Sequence, residues 1–321
     1  MKPFIRTTVA ALAFLAAGIA SSQDWPSRTT TVVNPFSAGT TTDTVARVVA
    51  DRLQKKSGKA FVVESKPGAG GMIGTAFIAK APADGSVIGV SIAGPLVNNT
   101  LLYKSMSYDP FKDLVPLTLG VRQPCLLVAT KSLGVSTVAE LVALLKKNPG
   151  KYNYAYVGNG SLGHLVMAML AMKSGTEIVP VMYAGAGQAI TSIMAGDVHM
   201  ACLPAQGVIG QVKAGTVVPL AVSTAERAAL LPQVPALRES YPDIVGSAWI
   251  GFVAPAKTSP ALADRMSKEI GAVLRDPEVV SILEQQMMEP AANSREEFSK
   301  FMRDELARWK PVIERNNISA E

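Results

Sequence analysis

The stretch that decides the fold is residues 29–53, TTTVVNPFSAGTTTDTVARVVADRL. Its first part, Thr29 to Asn34, is rich in β-branched residues and predicts a strand. Residues 35–43 predict a loop that holds a glycine and a run of hydroxyl side chains, and Thr40-x-x-Asp43 resembles a helix capping box. Apolar residues then recur at helical spacing. The stretch therefore predicts a strand, a loop and a helix, the repeating unit of an α/β protein.

The same alternation of strand and helix continues along most of the chain. Strand-like segments lie at residues 60–64, 87–92, 114–119, 125–129, 152–157, 178–183, 198–203, 218–223 and 249–254. Helical patterns separate many of them, and further helical segments lie at 260–274, 277–286 and 295–314. Alternation of this kind predicts an α/β fold with parallel sheets that are covered by helices.

The pattern restarts in the middle of the chain, and this restart predicts two lobes. We expect residues 23–122 and 248–321 to form a discontinuous lobe 1, and residues 123–247 to form lobe 2. The chain then crosses between the lobes twice, near Val121 to Pro124 and near Gly246 to Trp249. These two crossing strands are expected to act as the hinge.

The first residues have the layout of a secretory signal peptide. Lys2 and Arg6 precede an unbroken apolar run, Val9 to Ile19, and the small residues 20–22 offer a cleavage site. The run is shorter than the about 20 apolar residues that span a bilayer. We expect residues 1–22 to be removed and the mature protein to work in the periplasm as a monomer. A buried N-terminal helix is the alternative.

Composition excludes several classes of partner. The formal charge is +6, but no basic run occurs, so a nucleic-acid partner is not expected. The two histidines, His164 and His199, have no acidic cluster beside them, and we expect neither a metal nor a cofactor. Cys125 and Cys202 lie in apolar strand-like segments and are expected to be buried thiols. Because the periplasm is oxidising, a disulfide between these two cysteines is the alternative in an exported protein.

Two loops lie where a strand is followed by a helix, which is where open α/β sheets bind ligands. The free N–H groups and the positive dipole end of a helix favour an anion there. One such loop per lobe, facing the other across a gap, predicts a site for a small carboxylate. We expect the ligand-binding residues to be Ser37, Ala38, Gly39, Thr40, Thr41 and Asp43 in the first loop, Gly158, Asn159, Gly160, Ser161 and His164 in the second, and Tyr183 and Ala205 after later strands.

The second loop also matches a dinucleotide-binding fingerprint. Gly158-x-Gly160-x-x-Gly163 follows a strand-like segment and precedes a helical one, as that motif requires. The next strand, however, ends in Met182-Tyr183-Ala184, where the fingerprint needs an acid for the ribose. The motif also lies in mid-chain rather than in the first strand–helix–strand unit. Nicotinamide binding is therefore disfavoured.

A periplasmic serine hydrolase is the main alternative function. Ser161 and His164 are three residues apart and could share one helix face. A nucleophile elbow needs the pattern G-x-S-x-G, and Asn159 occupies its first glycine position. Because the pattern fails, we expect no catalytic residues and a protein that binds its ligand without changing it.

A family resemblance lies in several short motifs. They are Trp25-Pro26-Ser27-Arg28, Asn34-Pro35-Phe36-Ser37-Ala38-Gly39, Lys66-Pro67-Gly68-Ala69-Gly70-Gly71, Tyr108-Asp109-Pro110-Phe111-Lys112-Asp113, Gly158-Asn159-Gly160-Ser161 and Trp249-x-Gly251-x-x-Ala254-Pro255. In this combination the chain resembles the Bug family, the periplasmic receptors of tripartite tricarboxylate transporters, over nearly the whole mature length.

The resemblance implies a periplasmic binding protein fold of the second topological type. It implies a carboxylate held between the two loops, partly through waters that Asp43 and the backbone of residues 38–40 help to hold. The implied partners are the small and the large membrane subunit of a tripartite transporter. Some members are thought to present their ligand to a membrane sensor, and that role stays a third hypothesis.

Three positions depart from the family pattern. Thr40 stands where a second glycine is common, Tyr156-Val157 replace small hydroxyl residues, and Ala184 stands where a lysine is common. The missing lysine lowers the positive charge near the predicted cleft. We therefore expect a ligand with fewer negative charges than a tricarboxylate, or one with an apolar or aromatic body.

Overall fold

The computed structural model describes residues 25–315 and 318–319, so the predicted signal peptide lies outside the described residues. In chain order the strands are β1 (Thr30–Asn34), β2 (Phe61–Ser65), β3 (Val87–Ile92), β4 (Leu114–Gln123), β5 (Cys125–Ala129), β6 (Asn153–Val157), β7 (Val179–Tyr183), β8 (Met200–Pro204), β9 (Val218–Val222), β10 (Ala248–Pro255) and β11 (Glu289–Pro290).

The α-helices lie mainly between these strands and after β10. They are α1 (Thr41–Ser57), α2 (Met72–Lys80), α3 (Asn99–Leu102), α4 (Val138–Lys147), α5 (Leu162–Ser174), α6 (Ala186–Ala195), α7 (Ile209–Lys213), α8 (Pro260–Leu274), α9 (Pro277–Glu284) and α10 (Arg295–Arg315). A π-helical turn covers Gly94–Asn98, and short 3-10 turns cover Ala69–Gly71, Lys131–Leu133, Ala205–Gly207 and Leu237–Glu239. No helix within the described ranges is both long and apolar enough to cross a membrane.

The strands form two separate sheets, which confirms the predicted α/β fold with two lobes. The first lobe is built on six strands in the order β11-β4-β10-β3-β1-β2, and the second on five in the order β7-β6-β8-β5-β9. The repeating strand–helix units are parallel, since β1 pairs in parallel with β2 and β3, and β6 with β7 and β8.

The prediction of wholly parallel sheets is wrong beside the crossings. Strand β10 is antiparallel to β3 and β4, and β5 is antiparallel to β8 and β9. Parallel neighbours need a crossover connection on one face of the sheet, usually a helix. Strands β5 and β10 instead arrive from the other lobe and enter their sheets in the opposite direction.

The chain passes between the sheets at two places. The first passage is the single residue Pro124, between β4 and β5, and the second lies between β9 and β10. Strand β4 continues through Arg122 and Gln123, where a break was expected, because these residues pair with Trp249 and Ala248 of β10. The exact lobe limits given above stay a prediction.

The C-terminal helix α10 contacts both lobes. Near its start, Phe298 and Met302 are buried in the first lobe together with Trp249. Near its end, Trp309 and Ile313 pack into the apolar core of the second lobe. Helix α10 therefore joins the two lobes, and the expected assignment of residues 248–321 to lobe 1 stays a prediction.

Candidate functional site

A cavity lies between the two lobes, at the ends of strands from both sheets. Its volume is about 60 Å³, small beside the roughly 300–1,000 Å³ of typical small-molecule pockets. The lining residues are Phe36, Thr40, Thr41, Thr42, Ile92, Ala93, Gln123, Cys125, Val157, Ser161, Leu162, Gly163, Ala186, Cys202, Leu203, Pro204, Ala248, Trp249 and Ile250. None of these side chains carries a formal charge.

The first wall is the loop that leads from β1 into α1. Its helix begins after Thr40, which makes no side-chain cap, so the expected capping box with Asp43 does not form. Asp43 instead accepts a hydrogen bond from the Gly39 N–H, at 2.9 Å, and one from Arg47 Nε, also at 2.9 Å. Gly39 has a φ of +77°, which turns its N–H back towards the helix. Asp43 thus fixes the loop, and Arg47 offsets its charge.

The hydroxyl groups of this loop are held by the protein. Thr40 Oγ1 donates to the carbonyl of Ser37 at 2.7 Å, and Thr42 Oγ1 donates to Asn34 Oδ1 at 2.7 Å. These bonds fix the loop without using the first-turn N–H groups of α1, which have no partner inside an α-helix. The first wall therefore offers backbone N–H groups at the cavity.

The second wall is the loop that leads from β6 into α5. Ser161 is the N-cap residue, and its Oγ accepts a hydrogen bond from the backbone N–H of His164. The His164 imidazole accepts the Gly160 N–H at Nδ1 and stacks on Tyr156, with 4.4 Å between the ring centres. Burial lowers the pKa of His164 to about 4, so the imidazole is neutral at pH 7. The histidine supports the loop as a neutral acceptor.

A third helix also begins at the cavity. Helix α6 starts at Ala186, a lining residue, after the N-cap residue Gly185. A Cβ atom added to Gly185 would lie 2.9 Å from Thr40 Cγ2 of the opposite lobe. The beginnings of α1, α5 and α6 therefore converge on one cavity, and each brings the positive end of a helix dipole.

The floor of the cavity contains the two cysteines and one carboxamide. Cys125 and Cys202 are both buried and form no disulfide, which agrees with the expected thiols. They lie on the paired strands β5 and β8. The hydrogen bond with Cys125 and burial raise the pKa of Cys202 well above its ordinary value. Gln123, beside them at the end of β4, is 3% exposed.

The two lobes touch at the side of the cavity. Asn98 Nδ2 donates to the carbonyl of Gly160 at 2.7 Å, and the Asn159 amide donates to the Tyr103 hydroxyl. A Cβ atom on Gly158 would lie 2.9 Å from the carbonyl oxygen of Gly70. Such close backbone contacts across the gap mean that the lobes are closed on each other.

The chain matches a known family over most of its length. The sequence pattern of the tripartite tricarboxylate transporter family receptor matches residues 45–318. The chain belongs to this family. The Bug resemblance is thereby confirmed, and receptors of this kind are solute-binding proteins rather than enzymes.

Solved structures of similar proteins have the same architecture. The R. palustris protein Rpa4515, solved with adipate, has a TM-score of 0.89 and 32% sequence identity, over 92% of this chain and 99% of that one. The periplasmic binding protein BugD has a TM-score of 0.87 and 30% identity, over 92% and 99%. MatC from Rhodopseudomonas palustris, solved with malate, has a TM-score of 0.85 and 27% identity, over 90% and 100%.

The geometry of this receptor disagrees with the hydrolase hypothesis and with dinucleotide binding. Ser161 Oγ bonds to the backbone N–H of His164 rather than to its imidazole, which accepts the Gly160 N–H, so the described residues do not pair this serine with a base. A Cβ atom on Gly163 would lie 2.0 Å from the carbonyl oxygen of Cys202. The glycines of the dinucleotide-like motif thus serve lobe contact and strand–helix packing. No group of three or more metal-ligating side chains occurs among the residues described.

The cavity brings together some of the predicted ligand-binding residues. Thr40, Thr41 and Ser161 line it directly. The others do not line it: Ser37, Ala38, Gly39 and Asp43 in the first loop, Gly158, Asn159, Gly160 and His164 in the second, Tyr183 at the end of β7 and Ala205 after β8. Their role as ligand-binding residues stays a prediction.

Sequence reasoning missed the part of the lining that the crossing strands supply. Gln123, Ala248 and Ile250 line the cavity from these strands, and Trp249, expected only at the hinge, also lines it. Trp249 Nε1 donates a hydrogen bond to Glu305 Oε2 at 3.1 Å, so the indole N–H already has a partner within the protein. A signal was available at Gln123, which is a polar residue beside Pro124 at a predicted crossing point.

Proposed function

We propose that the protein is a periplasmic receptor that captures a small organic carboxylate between its lobes. It then delivers this ligand to the two membrane subunits of a tripartite transporter, and it acts as a monomer. The observation that carries the proposal is the convergence of the α1, α5 and α6 beginnings on one uncharged cavity. Helix beginnings stabilise an anion through N–H groups and the helix dipole.

The lining supports a ligand that carries little charge. It holds no lysine or arginine that could balance a second or third carboxylate. Similar structures were solved with adipate and with malate, which supports the carboxylate class. Because burying an unpaired charge is costly, we infer that one carboxylate is bound at the helix beginnings and that the rest of the ligand is uncharged.

The small volume and the apolar lining of the cavity support a compact ligand with an apolar body. Phe36, Ile92, Val157, Leu162 and Ile250 all line it. These side chains offer contact area to an aliphatic chain or to a small aromatic ring. Closure of the lobes around such a body removes it from water, which favours binding at about 25 cal/mol per Å² of apolar surface buried.

Capture follows from closure at the two crossings. The same walls that contact the ligand also contact each other, since Asn98 bonds to Gly160 and Gly70 lies against Gly158. A ligand that bonds to both walls therefore favours the closed state, and binding shifts the population of conformations towards closure.

A thermal-stability panel tests the proposal. Mature protein, residues 23–321, is unfolded and refolded to remove carried ligand and is then mixed with short aliphatic acids, aromatic acids, dicarboxylates and citrate. A ligand at about 100 times its Kd adds roughly 2.7 kcal/mol of stability. We expect monocarboxylates to raise the Tm most. The proposal is overturned if no carboxylate raises the Tm, and its monocarboxylate part fails if citrate is bound most tightly.

A proline variant tests the role of the helix N–H groups. Thr41 is the first residue of α1, a position where proline is tolerated, and Thr40 before it has the extended backbone that proline requires. Thr41→Pro removes one N–H from the cavity wall and should weaken binding about ten-fold. Val138→Pro is the matched control, because Val138 begins α4 after the extended residue Thr137 and does not line the cavity. Equal affinity in both variants would contradict backbone anchoring.

A further inference from the structure

Gln123 occupies a distinctive place in the cavity. It is the last residue of β4, directly before the passage through Pro124, and it pairs with Ala248 of β10. Both residues line the cavity floor. The side chain is only 3% exposed, which is unusual for glutamine. Its carboxamide therefore lies between the two lobes, where an enclosed ligand meets the hinge.

The Gln123 carboxamide is not satisfied by the protein. Its Oε1 atom is buried and has no hydrogen-bond partner. Other buried side-chain atoms of the described residues also have no partner, among them Asp43 Oδ1 and Asn98 Oδ1, but Gln123 Oε1 is the one that belongs to a side chain lining the cavity. Trp249 Nε1, which belongs to another lining residue, bonds to Glu305. The great majority of buried polar atoms in proteins have a partner, so an exception in a binding cavity points to a missing one.

The chemistry of a carboxamide limits which ligand group fits it. A carboxamide offers an oxygen that accepts and an NH₂ group that donates. A carboxylate only accepts, so it would leave the Gln123 oxygen unpaired, and no lysine or arginine of the lining would balance its charge. An alkyl group would leave both ends unpaired. A hydroxyl or a primary carboxamide can donate and accept, and is also uncharged.

We propose that Gln123 determines specificity by hydrogen bonding to an uncharged hydroxyl or carboxamide group on the ligand. The inference rests on the proposed function, because it assumes that the carboxylate end is held at the helix beginnings. The ligand class is then a monocarboxylate whose other end carries a neutral group that donates and accepts. Sites built to pair a polar group discriminate strongly against analogues that lack it.

Three ligands of matched length test the proposal by calorimetric titration of refolded mature protein. Glutaramate has a carboxamide at its second end, glutarate a carboxylate, and pentanoate a methyl group. The wild type should bind glutaramate about ten-fold more tightly than either of the others. In Gln123→Leu, glutaramate should lose about ten-fold while pentanoate is bound equally or more tightly. The preference, rather than the overall affinity, should disappear.

A control variant and a second substitution separate specificity from folding. Thr258→Val removes another buried and unpartnered polar atom, Thr258 Oγ1, at a position outside the cavity, and should leave all three affinities unchanged. Gln123→Met keeps the length of the side chain and should reproduce the Gln123→Leu result if the leucine variant folds poorly. Circular dichroism and thermal unfolding confirm that the variants are folded.

The outcomes distinguish failure of this inference from failure of the proposed function. If the wild type prefers glutarate or pentanoate, or if both Gln123 variants weaken the three ligands equally, Gln123 does not set specificity, although the receptor function stands. If no carboxylate, including those of the thermal-stability panel, binds the wild type, the proposed function fails and the role of Gln123 fails with it.

Discussion

Replacing His164 should remove a defined part of the acid sensitivity of folding. The imidazole is 6% exposed, stacks on Tyr156 and accepts the Gly160 N–H. Burial lowers its pKa from 6.5 to about 4. The unfolded chain therefore takes up a proton as the pH falls through 6.5, while the folded chain does not until about pH 4. Stability is full above pH 6.5 and declines between these two values.

The size of the effect follows from the two pKa values. Each unit of difference corresponds to about 1.4 kcal/mol, so the complete loss is about 3 kcal/mol once the pH is below 4. Between about pH 7 and about pH 5 the linkage relation gives a loss of about 2 kcal/mol of unfolding free energy. His164→Asn keeps an acceptor near the Gly160 N–H and has no proton to take up in this range.

Urea unfolding at several pH values measures this difference. The wild type should lose about 2 kcal/mol more than His164→Asn between about pH 7 and about pH 5. His199→Asn is the control, because His199 is the other histidine of the chain and is only partly buried. That variant should keep most of the wild-type pH dependence. Parallel pH profiles for the wild type and His164→Asn would refute the assignment of a neutral, buried imidazole.

One further variant and one chemical treatment test the closed cleft. Gly158→Ala should prevent full closure, because the added Cβ would lie 2.9 Å from the Gly70 carbonyl oxygen. X-ray scattering with saturating ligand should then show a more open particle than for the control variant Gly134→Ala. Gly134 also has a positive φ, but a Cβ atom added there would have no atom within 4 Å. Cys125 and Cys202 should react slowly with N-ethylmaleimide at neutral pH, because both are buried and the pKa of Cys202 is raised. Bound ligand should slow the reaction further, and fast labelling of the liganded protein would contradict this.

The sequence predicted most of the fold because each repeating unit is specified locally. The strand at Val87–Ile92 and the helix at Pro260–Leu274 were predicted with the observed limits. The errors occur where distant segments decide the outcome. Strand β4 is longer than expected because β10, far along the chain, pairs with its end, and the antiparallel direction of β5 depends on how the chain enters the second lobe.

The candidate site was predictable where it depends on loops and hidden where it depends on tertiary packing. Glycine and hydroxyl residues after β1 and β6 indicated both walls, because such composition suits a close approach of backbone to ligand. The part of the lining that β10 supplies could not be predicted locally, since Trp249 and Ile250 have the sequence pattern of core residues. The Asp43 capping box failed because Gly39, with its positive φ, places its own N–H within reach of the carboxylate.

The convergence of three helix beginnings has a consequence for how such a receptor changes during evolution. Main-chain N–H groups persist through almost every amino-acid replacement, and only proline deletes one. Under the proposed function, an anion site made from them would therefore tolerate most substitutions in the residues that supply it. The walls and floor, made of side chains such as Val157 and Gln123, can be exchanged singly. The proposed function thus predicts that substitutions in the lining change which carboxylate is bound, while the main-chain N–H groups that would hold its acid group remain.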